Sequence, residues 1–326
     1  MAEINMVEAL NQAMTFEMDK DHNVVILGED VGKNGGVFRV TAGLQTRFGK
    51  ERVLDTPLAE NMLAGMSVGM AAQGLKPVVE IQFMGFIYAG VDQIISHISR
   101  LRNRTRGRLS CPLVIRTPYG GGIHSPEHHS ESTEAIFAHI PGIRVVIPSS
   151  PLRAYGLLLA SIRNPDPVLF LEPTRLYRLM KQAVPDNGEA LPLDVAFIQR
   201  EGKDITLVSW GSMLQETLKA ADELAKMGID AEVIDVATIK PLDMNTILSS
   251  VEKTGRCVII HEAPKTGGVG AEIAAGIAEH GLTFLLAPIL RVAAFDVIVP
   301  LYRLEHFYLP NAKRIIDAAK KTMEYA

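Results

Sequence analysis

One carboxylate in this sequence stands where it could move a proton. Glu60 lies in the run DTPLAENM (55–62), two residues before the start of the apolar stretch 62–72. A carboxylic acid beside an apolar surface holds its proton more tightly than one in water, so it can both donate and accept near neutral pH. An acid in the first turn of a helix can also simply stabilise the helix dipole. Spacing alone leaves both interpretations open.

A second candidate is the stretch 120–131 (GGGIHSPEHHSE), in which three glycines precede three histidines. Imidazoles titrate near neutral pH, and consecutive glycines allow a loop to approach a ligand closely. A proton-transfer loop and a polar surface loop are both compatible with this composition. A metal site formed by His124, His128, His129 and an acid is a third interpretation, weakened by the absence of an HExxH helix that would fix ligand geometry.

Two further motifs have simpler explanations than ligand binding. Arginines alternate from Arg100 to Arg108, a spacing that does not place them all on one helical face. We expect a solvated or salt-bridged helix end there. The run GGVGAEI (267–273) resembles a dinucleotide-binding turn, but Ile273 stands where the third glycine is required. A nicotinamide oxidoreductase is therefore disfavoured.

The composition indicates a folded protein with part of its apolar surface covered. The chain of 326 residues has 47% hydrophobic residues, a mean hydropathy of +0.14 and a formal net charge of −4. These values exclude a disordered chain, give no support for nucleic-acid binding through bulk charge, and indicate surface hidden by a partner. Cys111 and Cys257 are the only cysteines, which fits a reducing compartment.

We expect a cytosolic protein that does not enter the membrane. The first 18 residues carry acids where a secretory signal has basic residues. The most apolar long stretch, 282–302, is interrupted by two prolines, an arginine and an aspartate, whereas a membrane span needs about 20 mostly apolar residues.

Strand-like and helix-like segments alternate along the chain in two groups separated by residues 181–204, which lack periodicity and indicate a linker. In the first group we predict helices over 6–20, 61–73, 88–102 and 151–163, and strands over 23–28, 77–83, 113–116, 144–148 and 168–172. In the second group we predict helices over 213–227, 245–253, 269–280 and 311–325, and strands over 205–210, 231–235, 256–261 and 288–293. The helix over 61–73 is apolar nearly all round and is expected to be buried. This alternation predicts two doubly wound α/β domains with parallel sheets, each binding ligands or partners at the carboxyl ends of its strands.

Several segments, in order along the chain, resemble one known family. They include DTPLAEN (55–61), TPYGGGIHSPEHHSES (117–132), RNPDPVLFLEPTRLYR (163–178) and LRVAAFD (290–296). The family is that of the beta subunits of the E1 component of thiamine-diphosphate-dependent 2-oxo acid dehydrogenase complexes. The resemblance implies a pyrimidine-binding domain over 1–185, a linker over 186–203 and a transketolase-type C-terminal domain over 204–326.

The resemblance also implies roles for single residues. Glu60 matches the glutamate that exchanges a proton with N1′ of the aminopyrimidine and so activates thiamine diphosphate. His129 matches the histidine that serves the substrate and the incoming lipoyl group as proton donor or acceptor, and His128 is a weaker neighbouring candidate. The positions that line the pyrimidine match Leu58, Gln82 and Phe86. The positions that hold a potassium ion in many relatives, largely through backbone oxygens, match Leu113, Ser161, Ile162, Asn164 and Asp166.

A motif that is missing from the sequence indicates that a partner subunit is needed. Thiamine enzymes hold Mg²⁺ and the diphosphate with a Gly-Asp-Gly element, which is missing here. The resemblance therefore implies that a separate alpha subunit supplies that half of the site in an α₂β₂ heterotetramer. A second beta subunit and the subunit-binding and lipoyl domains of the E2 acyltransferase are the other expected partners, and neither nucleic acid nor membrane is expected.

The implied activity is oxidative decarboxylation of a 2-oxo acid followed by reductive acylation of the lipoyl arm. Pyruvate is the expected substrate, with branched-chain 2-oxo acids and acetoin as alternatives. A non-catalytic scaffold subunit is a remote alternative, against which the presence of Glu60 and His129 argues. A bacterial-type chain in the cytoplasm is the expected setting.

Overall fold

The sheets of the molecule are described by a computed structural model that covers residues 2–325. In that range the strands are β1 (Ala2–Ile4), β2 (Val24–Gly28), β3 (Val53–Asp55), β4 (Lys76–Glu80), β5 (Val114–Tyr119), β6 (Arg144–Val146), β7 (Val168–Pro173), β8 (Gln182–Val184), β9 (Phe197–Arg200), β10 (Ile205–Ser209), β11 (Ala231–Asp235), β12 (Thr238–Lys240), β13 (Cys257–Pro264) and β14 (Leu290–Ala294). The helices are α1 (Met6–Lys20), α2 (Leu44–Phe48), α3 (Glu60–Ala72), α4 (Val91–Ser96), α5 (Leu101–Arg104), α6 (Glu134–Ala138), α7 (Pro151–Arg163), α8 (Met213–Lys226), α9 (Met244–Thr254), α10 (Val269–Gly281), α11 (Tyr302–Tyr308) and α12 (Ala312–Met323).

Two large sheets carry the architecture. The first has seven strands in the order β12-β6-β7-β5-β4-β2-β3, and the second has five in the order β14-β13-β10-β11-β9. Neighbouring strands are parallel except for β12 and β9, which lie antiparallel at one edge of each sheet. A small antiparallel pair joins β1 to β8. The two α/β units with mainly parallel sheets are as predicted, whereas the antiparallel edge strands were not foreseen.

Two amphipathic helices cover one face of the first sheet. The α1 helix begins with a capping box, in which the Asn5 side chain accepts from the Glu8 N–H at 3.0 Å and the Glu8 carboxylate accepts from the Asn5 N–H at 2.8 Å. The α7 helix begins with Ser150 as its cap and Pro151 in its first turn. The apolar faces of both helices pack against each other and the sheet. Their observed bounds equal the predicted ones.

The two units are joined by a common apolar cluster and by a strand of the second unit that pairs with the first sheet. One apolar cluster contains Leu27 and Ile115 of the first sheet together with Val208 and Ile259 of the second. The β12 strand, which follows β11 of the second unit, pairs with β6 of the first. Within the predicted linker 186–203, β9 pairs with β11 and so extends the second sheet. The relative placement of the units is therefore fixed by burial as well as by hydrogen bonds.

A buried ion network joins three neighbouring strands below the carboxyl edge of the first sheet. Arg116 of β5 donates to Glu172 of β7 at 2.7 and 2.8 Å and to Glu80 of β4 at 2.7 Å. All three side chains are buried, so each charge depends on the others for its solvation. The network holds these strand ends in register beneath the loops that follow them.

The helix predicted over 88–102 is wrong. The chain instead forms a 3₁₀ turn over Met84–Gly90, then α4, a second 3₁₀ turn over Ile98–Arg100, and α5. The helical backbone is interrupted at His97, whose φ of −125° and ψ of −58° depart from helical values and separate α4 from the second 3₁₀ turn. None of the helices within residues 2–325 has the length and hydropathy that crossing a bilayer requires.

His261 of β13 is a buried titratable group whose protonation state affects stability. It is fully buried and stacks on Trp210 with ring centroids 5.2 Å apart. Gly270 of α10 packs against the same imidazole ring, where a Cβ would lie 2.6 Å from Nε2. Removal from water lowers the pKa of His261 to about 4.

Acidification should therefore destabilise the fold through His261. An unfolded histidine titrates near 6.5, so between pH 6.5 and 4 the unfolded chain binds a proton that the folded chain does not. Relative to a His261→Leu variant, the wild-type free energy of unfolding should fall by about 1.4 kcal/mol per pH unit as pH drops through this window. Denaturant unfolding at several pH values measures this. The exposed control His280→Gln should keep the wild-type slope, and an equal slope in His261→Leu would contradict the expectation.

Candidate active site

Three segments meet at the carboxyl edge of the first sheet. Glu60 is the first residue of α3, and a Cβ placed on Gly90 would lie 3.1 Å from its carbonyl oxygen. The Asn61 amide donates to the Ala89 carbonyl at 3.3 Å, which also fixes α3 against the turn Met84–Gly90. The 3₁₀ turn Glu127–His129 packs on the same segment at Gly85. The structure thus places Glu60, the aromatic turn and the histidine pair on contacting segments.

The His129 ring is seated between two aromatic side chains. Its centroid lies 4.2 Å from that of Phe83 and 5.2 Å from that of Phe86, both in edge-on geometry. Among residues 2–325, its buried Nδ1 has no hydrogen-bond partner. A buried polar atom without a partner costs free energy, so this nitrogen is suited to a group that another molecule supplies. His128 is exposed, with its Nδ1 3.9 Å from Glu131.

An apolar surface surrounds the start of α3. Leu58 is 66% exposed, Met62 41% and Met66 39%. The prediction of a fully buried helix over 61–73 is therefore wrong for this face. The physical reason is that apolar residues covered by a bound molecule or another subunit have the same sequence pattern as core residues.

The residues predicted to line a pyrimidine follow neighbouring strands. Leu58 comes three residues after β3, and Gln82 comes two residues after β4; both strands pair with β2. Phe86 is half-buried and packs edge-on against Phe83, with centroids 5.6 Å apart. Phe86 therefore lies between the His129 ring and the core beneath the turn.

Glu29 is a candidate that the sequence analysis missed. It directly follows β2, the strand between β3 and β4. Burial raises the pKa of Glu29, and the negative charges of Asp30 and Glu60 raise it further. Its position in the sequence could have identified it, because a carboxylate directly after a buried parallel strand lies at the ligand-binding edge of the sheet.

The metal interpretation of the histidine stretch fails. Among residues 2–325, no group of three His, Cys, Asp or Glu side chains is placed to hold a metal ion. His124 turns away toward Glu305, with its Nδ1 3.0 Å from the carboxylate. The three glycines lie against side chains of the C-terminal unit and Arg175, not against an open ligand cleft.

The five predicted potassium positions lie at the end of α7, in the loop that follows it and directly before β5, and a hydrogen bond of 3.0 Å from the Cys111 N–H to the Pro165 carbonyl joins these segments. The Leu113 carbonyl accepts from the Val168 N–H at 2.9 Å, and the Ser161 carbonyl accepts from the Asn164 N–H at 3.2 Å. Each carbonyl keeps a second lone pair, so a backbone oxygen cage is compatible with this geometry. The Asp166 carboxylate is paired with Arg102 at 2.5 Å, which also confirms a salt-bridged arginine in the alternating run.

Two motifs prove to be structural. Residues 65–69 (GMSVG) match the nucleophile-elbow pattern. Ser67 lies in the middle of α3, is fully buried, and donates to the Leu63 carbonyl at 2.7 Å, so it is no exposed nucleophile. The glycine run after β13 forms the strand-to-helix turn in which Gly268 precedes α10.

Comparison with known proteins covers nearly the whole chain. Residues 2–180 match the family described as transketolase, pyrimidine binding domain, and residues 194–315 match transketolase, C-terminal domain. The pyruvate dehydrogenase E1 component subunit beta of Staphylococcus epidermidis is 50% identical over 325 residues, and that of Bacillus subtilis is 47% identical, each with 100% of both chains covered. A solved structure titled split gene transketolase, inactive beta4 tetramer, has the same fold, with a TM-score of 0.82, 22% identity and 99% of both chains covered.

Proposed function

Because the chain belongs to the family of pyruvate dehydrogenase E1 component beta subunits, a thiamine-diphosphate-dependent oxidoreductase family, we propose that its candidate site is one half of an E1 active site. The complete enzyme would decarboxylate pyruvate and transfer the acetyl group to the lipoyl arm of E2. The observation that carries the proposal is that Glu60, the first residue of α3, and His129, with its unpartnered Nδ1, lie on segments that both pack against the turn Met84–Gly90.

The described residues fit the pyrimidine side of thiamine diphosphate. When bound, the cofactor would supply a nucleophilic carbon that adds to the substrate carbonyl and a cationic ring that takes up the electron pair left by loss of CO₂. Glu60 would exchange a proton at the pyrimidine ring, and the apolar side chains of Leu58 and Phe86 would contact its faces and exclude water. Gln82 would contribute a hydrogen-bonding amide at the same edge.

His129 would donate a proton to, or accept one from, the substrate and the incoming lipoyl group. Phe83 and Phe86 fix its ring by edge-on packing, so that the imidazole need not be ordered when substrate arrives. His128, exposed beside it, would be the secondary candidate for contacts with the lipoyl group.

The remaining parts of the site are assigned to partners. Since Gly-Asp-Gly is missing, Mg²⁺ and the diphosphate would be held by an alpha subunit, which would cover the exposed apolar surface around Glu60. A potassium ion would occupy the backbone cage at the end of α7. The C-terminal unit would contact a second beta subunit and E2, in an α₂β₂ enzyme of the cytoplasm.

A Glu60→Gln variant should lose activity by about 10²-fold or more, because an amide cannot exchange the activating proton. The measurement is decarboxylation of pyruvate by the enzyme reconstituted with its alpha subunit, with 3-methyl-2-oxobutanoate as a slower comparison substrate. Glu51→Gln, an exposed acid of the same unit, is the matched control and should keep full activity. Full activity of Glu60→Gln would remove the activating role, and faster turnover of the branched-chain acid would refute pyruvate as the substrate.

A His129→Ala variant should slow reductive acetylation of a free lipoyl domain by about 10²-fold, since the proton donor at the site is lost. The paired variant His128→Ala should have a clearly smaller effect. Both are measured in the reconstituted enzyme by mass spectrometry of the lipoyl domain. If acetylation by His129→Ala proceeded at the wild-type rate, the role of this histidine would be disproved.

A further inference from the structure

We propose that Glu305 and Glu262, two buried carboxylates of the C-terminal unit, are positioning residues for His129. They do so by accepting hydrogen bonds from the backbone of the glycine-rich loop (residues 120–131) that carries the histidine. The proposal rests on the proposed function of His129 and adds to it the reason why the second unit is needed for that function.

Three backbone N–H groups of the loop donate to these carboxylates. The Gly121 N–H donates to Glu262 Oε1 at 2.5 Å, and the Gly122 N–H donates to Glu305 Oε1 at 2.6 Å. The His124 N–H donates to the other oxygen of Glu305 at 3.2 Å. Backbone N–H groups removed from water need acceptors, so these three hydrogen bonds fix the position of the loop backbone.

The carboxylates lie inside the molecule on two elements of the second unit. Glu305 of α11 is 3% exposed and Glu262 of β13 is 4% exposed. The Ser212 hydroxyl donates to the second oxygen of Glu262 at 2.5 Å, so this acid depends on neutral donors for its solvation. The loop is therefore part of the environment that makes the burial of these carboxylates tolerable.

The glycines are explained by the same contacts. A Cβ on Gly120 would lie 2.5 Å from Glu262 Oε1, and a Cβ on Gly122 would lie 2.8 Å from the Arg175 side chain. Both glycines have positive φ, of 79° and 92°. Only a residue without a side chain allows the backbone to approach Glu262 and Arg175 this closely in this conformation.

Internal hydrogen bonds transmit this position to His129. The Gly120 N–H donates to the Glu131 carbonyl at 2.9 Å and closes the loop at its base. The Ser130 hydroxyl donates to the Pro126 carbonyl at 3.1 Å, and the His129 N–H donates to the same carbonyl at 2.9 Å. A shift of residues 121–124 would therefore move the turn that carries His129 relative to Phe83 and Phe86.

A double-mutant cycle tests the proposal in the enzyme reconstituted with its alpha subunit. Glu305→Gln should lower the rate of lipoyl acetylation by at least about 10-fold in the wild-type background, since small displacements of a catalytic group are costly. In the His129→Ala background the same substitution should cost less than about 2-fold, because a residue that acts through His129 has nothing left to position. The exposed acid Glu252, changed to Gln, is the matched control and should cost nothing in either background.

A second readout does not depend on turnover. In Glu305→Gln, hydrogen exchange at the amides of Gly122 and His124 should become faster, while amides of α1 stay as protected as in the wild type. If Glu305→Gln does not fold, Glu262→Gln is measured in the same way, with exchange followed at Gly121.

The outcomes separate this proposal from the one it rests on. An equal loss of acetylation rate in both backgrounds, or unchanged hydrogen exchange at Gly122 and His124, would overturn the positioning role. The proposed role of His129 would be unaffected by that result. Wild-type acetylation by His129→Ala alone would remove the role of the histidine itself, and the positioning role with it.

Discussion

The interaction on which the rest of the structure depends is a set of hydrogen bonds between a backbone loop and buried acids of the other unit. The loop N–H groups of Gly121 and Gly122 need acceptors, and the carboxylates of Glu262 and Glu305 need donors, because neither kind of group tolerates burial alone. The loop N–H groups and the carboxylates therefore satisfy each other's hydrogen-bonding requirement. The two α/β units are therefore joined by polar contacts at the site, in addition to the shared apolar cluster and the edge strand β12.

Through these hydrogen bonds the second unit contributes to the candidate site, although Glu262 and Glu305 are far from the loop in the sequence. The first sheet presents Glu29, Leu58 and Gln82 after three neighbouring strands, and α3 adds Glu60. The second unit then holds the loop that brings His129 to the aromatic turn. What this chain leaves exposed beside Glu60 is apolar, which is the surface expected of a site that another subunit completes.

Local patterns in the sequence predicted much of the fold. The bounds of α1, α7 and β11 follow from apolar periodicity and from caps such as Asn5, which act within a few residues. The break in the helix predicted over 88–102 could not be predicted from apolar periodicity, because the non-helical backbone at His97 leaves no mark in that pattern. The partners of Gly121 and Gly122 lie 141 and 183 residues away, so the glycine run was noticed but its purpose was not. Glu60 and the histidine stretch were candidates from residue type and spacing alone, whereas their specific roles came from a family resemblance and remain predictions.

The claim that this chain holds only the pyrimidine half of a shared site is tested most directly by calorimetric titration of thiamine diphosphate with Mg²⁺. The titration is made into the chain alone, into the alpha subunit alone, and into their mixture. Tight binding in the mixture, with weak or no binding to either chain alone, is the predicted result. Binding of the whole cofactor to this chain alone, with the affinity of the mixture, would contradict it.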